Sequence, residues 1–230
     1  MLRWAVPSTY PPPAASVAHI SRDTQLINIR RTQPYDVTLD DLALVVDSDV
    51  FPPDLGFTSR YLSQTLAQYQ PKALLDMGCG TGYLALVSKK RGAPVVWALD
   101  VHEPAVACSR KNAERNGLTN VRVEQSDLFS AVDPGVKFDL IVFNQPYYPS
   151  THEVIFGLGF DGGREIIERF MSEVPEYLAE GGALIMPFSD MAGPEHNPEP
   201  IVTSYGYTSR EVFRTHDGTF THMIYEFKKA

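Results

Sequence analysis

Two cysteines in 230 residues, Cys79 and Cys108, are too few for a disulfide framework and suit a reducing, cytoplasmic setting. The six histidines are scattered, and no pair has the spacing of a zinc site, so no metal is expected. No apolar run approaches the ~18–20 residues that span a bilayer, so no membrane helix is expected. The N-terminus meets Pro7 and Pro11-Pro12-Pro13 before any continuous apolar stretch forms, and a secretory leader is not expected. An excess of positive charge is also missing. Twenty Lys and Arg stand against 28 Asp and Glu, a net charge of -8. That argues against a protein whose affinity comes from neutralising phosphates, so nucleic acid is not an expected partner. The basic residues present, among them Lys89, Lys90, Arg91, Arg110, Lys111 and Arg115, read as solvated helix faces.

What remains is an ordinary globular composition, 43% hydrophobic, in a length that suits one well-buried domain. Residues 1–20 read as an irregular, proline-rich arm. Residues 26–29 and 42–46 look like strands of a small hairpin, with a bend at Pro34-Tyr35-Asp36. Residues 1–50 are therefore expected to form an arm and hairpin, a candidate lid, ahead of a main domain over 51–230. A helix is expected over 57–69. Strands at 73–76, 95–100, 121–124, 138–143 and 183–186 then alternate with helices at 82–91, 103–116 and 163–178. The pattern ends in an antiparallel pair, 207–215 and 220–227. This order predicts an α/β fold with a doubly wound, mostly parallel sheet of seven strands.

The segment Asp76-Met77-Gly78-Cys79-Gly80-Thr81-Gly82 lies where a buried strand turns into a helix. Its glycines let backbone pass close to a ligand, although a tight structural turn would use them too. A dinucleotide fingerprint would place its third glycine at Tyr83, and a triphosphate loop would need a Lys followed by Ser or Thr. Asp76 would repel a pyrophosphate but suits a ligand with ammonium and sulfonium charges. Asp100 ends the next strand and can accept two ribose hydroxyls, or else cap the following helix. Asp127 ends the third strand, where it can accept from an adenine amino group while Leu128 packs on the ring.

With these residues in place the chain resembles the class I S-adenosylmethionine-dependent methyltransferases, which have a Rossmann-like fold, over about residues 50–190. The resemblance implies S-adenosyl-L-methionine as cofactor. It places Asp76, Gly78, Gly80, Gly82, Asp100, Val101, Asp127, Leu128 and Asn144 at the cofactor site. Phe51 and Thr58 fall in a region that covers the cofactor in this fold. Removing residues 1–20, the rest of the candidate lid, is expected to weaken cofactor binding.

The fourth strand ends in Asn144-Gln145-Pro146-Tyr147-Tyr148. This is similar to the Asn-Pro-Pro-Tyr motif of HemK-like N-methyltransferases, with Gln145 in place of the first Pro. The resemblance implies catalytic roles for Asn144, Tyr147 and Tyr148. The Asn amide and the next carbonyl would accept from a planar NH2 group, and a Tyr ring would stack on it. Gln145 keeps the carbonyl but is expected to lose the rigidity that Pro confers. Phe143 reads as core, whereas Phe156 and Phe160 are left open. Methyl transfer to an amide or amine of a small molecule or protein side chain is the leading expectation. One alternative is ring closure of the cofactor to azetidine-2-carboxylate and methylthioadenosine, as in peptide natural-product pathways. Another is a non-catalytic, cofactor-binding scaffold.

Overall fold

The computed structural model describes residues 33–54, 57–146 and 163–230. The arm, residues 26–29, Tyr147, Tyr148, Phe156 and Phe160 lie outside them. The hairpin has its expected second strand but a different first one. β1 (Tyr35–Leu39) pairs antiparallel with β2 (Leu42–Val46), Leu39 facing Leu42. Asp40 and Asp41 make the turn with φ of 47° and 57°. A two-residue turn with positive φ at both positions matches the strand twist, and Asp tolerates that region better than most side chains. The residues expected to bend therefore begin β1.

The main domain follows in the order α1 (Phe57–Leu66), β3 (Ala73–Met77), α2 (Tyr83–Lys90), β4 (Val95–Asp100), α3 (Glu103–Arg115) and β5 (Arg122–Gln125). It continues with β6 (Phe138–Phe143), α4 (Gly163–Tyr177), β7 (Leu178–Ser189), α5 (Pro198–Ser204), β8 (Tyr207–His216) and β9 (Thr221–Lys229). The sheet has seven strands in the order β5-β4-β3-β6-β7-β9-β8. β3 through β7 run parallel, and β9 and β8 close the edge antiparallel. The expected doubly wound fold is present. α1 stops at Leu66 rather than at residue 69, and β7 starts before the glycines expected to precede it. α5 was not foreseen, although Asn197 before two prolines is a cap signal: its Oδ1 accepts the Glu199 N–H at 3.0 Å.

Each sheet face has its own core. Alternate strand residues such as Leu75, Ile141 and Leu184 meet Ile167 and Phe170 of α4 and Ile201 of α5. Their neighbours Leu74, Val142 and Ile185 meet Leu62 of α1, Leu84 of α2 and Val106 of α3. The hairpin joins this second core through Leu39, Leu42 and Leu44. Phe143, as expected, is core, with its ring centre 4.8 Å from that of Phe170. Among the described residues no helix is long and apolar enough to cross a membrane. The strand order reverses between β3 and β6, and ligands in such sheets bind outside the carboxyl ends at that switch.

Candidate active site

Four strand ends meet at that edge. After β3, the loop turns through Gly78, Gly80 and Gly82 with φ of 67°, 53° and 79°. A Cβ on Gly82 would lie 2.3 Å from Ser109 Oγ on α3, whereas one on Gly80 would meet nothing within 4 Å. The loop is thus braced from behind and open in front. Asp76 is 1% exposed, and its Oδ2 accepts the Ala85 N–H in the first turn of α2 at 3.0 Å. That turn has no side-chain cap of its own at Gly82.

Asp100 joins β4 to the loop. Its Oδ2 accepts the Gly80 N–H and its Oδ1 the His102 N–H, both at 2.9 Å. His102 is the residue flanking the start of α3, so the capping alternative is partly realised. Carboxylate oxygens have further lone pairs, so these bonds leave capacity for hydroxyls. Val101 next to it is 59% exposed, and its carbonyl accepts from Gln125 Nε2. The Ser126 N–H donates to Asp100 O at 2.8 Å, which ties the end of β5 to the end of β4.

Beyond β5, Leu128 has φ 49°, an uncommon conformation for a bulky side chain. Ser126 Oγ holds it by donating to the Leu128 carbonyl at 2.6 Å. The kink leaves Asp127 exposed and puts Leu128, 5% exposed, into the core. Of the apolar residues assigned to the cofactor, Val101 presents its side chain outward and Leu128 is largely taken up by packing. Asp127 Oδ2 forms an ion pair with Arg169 of α4 at 2.9 Å, a partner that no local pattern announced.

On the other side of β3, Met77 pairs with Phe143, so Asn144 follows opposite Gly78. Asn144 is half-buried, and no hydrogen bond among the described residues engages its amide. Gln145 is 1% exposed, and its Nε2 donates to Pro187 O at 2.7 Å. β6 backbone pairing with β7 ends at Ile185, so the Gln145 amide takes up the next position of the ladder. This bond anchors the Gln145 side chain to β7. Among the described residues its Oε1 is buried without a partner, and leaving such an atom unpaired costs about 1–3 kcal/mol. Phe51 and Thr58 are both half-buried, Phe51 on the segment joining the hairpin to α1 and Thr58 in the first turn of α1.

The charges have an electrostatic consequence. Burial, opposed by the Ala85 N–H and reinforced by Asp100, pushes the Asp76 carboxyl up to about 8. Burial also raises Asp100, against the N–H groups of His102 and Gly80. Among the described residues, no Lys or Arg forms an ion pair with either.

A family model described as the methyltransferase small domain matches residues 41–197. The chain belongs to this family. It is 32% identical over 164 residues to a Methanocaldococcus jannaschii protein provisionally named a protein N5-glutamine methyltransferase, covering 68% of this chain and 81% of that one. A segment of 71 residues is 52% identical to the ribosomal protein L11 methyltransferase of Thermotoga neapolitana, 31% of this chain and 26% of that one. Among solved structures, the Thermus thermophilus 16S rRNA N2 G1207 methyltransferase with AdoMet and guanosine shares the fold, with a TM-score of 0.65 and 18% identity over 86% of this chain and 50% of that one. The protein is an S-adenosylmethionine-dependent transferase, and S-adenosylmethionine is its cofactor. The residues fit that group: the buried Asp76 and the half-buried Asp100, with no basic ion-pair partner among the described residues, suit a cationic amino acid, and the open face of Gly80 admits it.

Proposed function

We propose that this methyltransferase transfers a methyl group to the nitrogen of a planar amide or amine, carried by a small molecule or a protein side chain. The observation that supports this most is Asn144, placed at the switch between β3 and β6 with its amide unengaged by the described residues. The name of the Methanocaldococcus relative points to an amide nitrogen as well. When bound, S-adenosylmethionine supplies a methyl group on a positively charged sulfur. Asp76 and Asp100 would hold its amino acid and ribose, and Asp127 and Val101 its adenine. Asn144 Oδ1 and the Gln145 carbonyl would accept the two acceptor N–H groups and orient the nitrogen lone pair. Tyr147 and Tyr148 would complete the acceptor site on sequence grounds alone. Positioning supplies most of the catalysis, and carbonyls waiting for the protons favour positive charge developing on nitrogen.

Incubation with methyl-labelled cofactor and glutamine-containing peptides or small primary amides tests this. Label on nitrogen is expected. Asn144→Ala should lower turnover about 100-fold, in the range of losing one donor or acceptor aimed at developing charge, with cofactor affinity changed far less. Cofactor consumption without any nitrogen labelling would overturn the reading. Methylthioadenosine and azetidine-2-carboxylate formed together with no acceptor present would establish ring closure instead, the reading that Gln145 in the motif leaves open.

A further inference from the structure

We propose that Asn112 is a positioning residue that couples the N-terminal hairpin to the cofactor loop. Asparagine is a poor helix former, yet Asn112 lies inside α3 and Asn116 caps its end, four residues on. Both face β2. Asn112 Oδ1 accepts the Val45 N–H at 2.7 Å, and its Nδ2 donates to Val45 O at 2.9 Å. Asn116 repeats the pair on Ala43, with both distances 2.9 Å. Each amide therefore serves the N–H and C=O of one residue, as a neighbouring strand would. The spacing fits, because four helical residues rise ~6 Å and two strand residues ~6.6 Å. The edge of the hairpin is closed by side chains of α3.

Asn116 Nδ2 has its further partner within α3, the Asn112 carbonyl at 2.8 Å, whereas Asn112 reaches beyond β2 to the glycine loop. The second hydrogen of its Nδ2 reaches Thr81 O at 2.9 Å, between Gly80 and Gly82. One fully buried amide thus spans β2 and the glycine loop, with both its hydrogens and its oxygen engaged. It fixes the Thr81–Gly82 peptide plane from behind, next to the contact between Ser109 and Gly82. Through it the docked hairpin sets the orientation of loop amides at the cofactor. This inference rests on the cofactor loop alone and stands whatever the methyl acceptor proves to be.

The experiment compares Asn112→Ala with Asn116→Ala. Both remove two bonds to β2, but only the first removes the bond to Thr81. S-adenosylhomocysteine binding is measured by calorimetry and stability by thermal melting. Asn112→Ala should weaken binding about tenfold, and Asn116→Ala far less, at a similar loss in melting temperature. Equal weakening in both variants, or none in either, overturns the proposal. Hydrogen exchange on the unaltered protein decides the matter if Asn112→Ala does not fold. Coupling is reciprocal, so S-adenosylhomocysteine should slow exchange at the Ala43 and Val45 amides as well as at Gly80. Slowing at Gly80 with no change at Ala43 and Val45 would overturn it.

Discussion

Asp76 does two things that pull its protonation state in opposite directions. It caps α2 from the core, where burial favours the neutral acid, and in the proposed reading it would hold the cationic amino acid of the cofactor. With a carboxyl held near 8 in the folded chain and near 3.8 when unfolded, the folded state retains a proton that the unfolded state loses. Its contribution to stability therefore falls as pH rises from about 4 to about 8 and is level beyond. A bound ammonium favours the ionised form, so cofactor binding below pH 8 releases a proton. Affinity for S-adenosylhomocysteine should rise from pH 6 to pH 8, by at most about tenfold per unit for one proton. Asp76→Asn should flatten that rise, leaving only what Asp100 and the ligand itself contribute. Calorimetry in buffers of different ionisation enthalpy measures the released proton, and an unchanged pH profile in the variant would contradict this assignment. Gly82 is a second sensitive position. Gly82→Ala meets Ser109 Oγ and must keep φ at 79°, so a loss of about 1–3 kcal/mol in urea unfolding is expected. Combining it with Ser109→Ala should recover part of that loss, because the clash is relieved and the strain is not.

At the scale of elements, the hairpin is the part whose position the sequence disclosed least. Its turn aspartates have different jobs. Asp40 accepts from Ser63 Oγ of α1 and Tyr83 OH of α2 and forms an ion pair with Arg91, which ties three elements together. Asp41 points to solvent. Asp41→Gly should therefore stabilise the protein by about 0.5–1 kcal/mol, by relieving positive φ at the cost of only an exposed, long ion pair with Lys90. Asp40→Gly relieves the same strain but loses those bonds and should destabilise. Chemical denaturation of the two variants checks this, and equal effects would refute the division of roles. The basic residues that read as solvated helix faces are also partly employed here: Lys90, Arg91, Lys111 and Arg115 pair with Asp41, Asp40, Asp47 and Asp36. The glycine loop, Asp100 and Asp127 were legible because each is a local pattern at a strand end. The roles of Asn112, Gln145 and Arg169 were not, because their partners lie 31 to 67 residues away. The bend expected at Pro34-Tyr35-Asp36 lies instead at Asp40-Asp41, which was not legible for a related reason. Asp40-Asp41 lacks the glycine that usually marks such a turn.

For the whole molecule, the alternation of strands and helices was enough to anticipate a seven-stranded, doubly wound sheet. The reversal of strand order is what gathers residues far apart in sequence, from Asp76 to Asn144, along one edge. That edge has two halves. In the proposed reading the glycine loop with Asp100 and Asp127 would serve the cofactor, and the end of β6 would face the methyl acceptor. The halves make separable demands, so cofactor binding should survive changes at Asn144 that abolish turnover. The most direct test of nitrogen methylation is mass spectrometry of the nucleoside product, with and without an amide or amine acceptor. S-adenosylhomocysteine appearing only when the acceptor is present is the predicted result. Methylthioadenosine produced from the cofactor alone would contradict it.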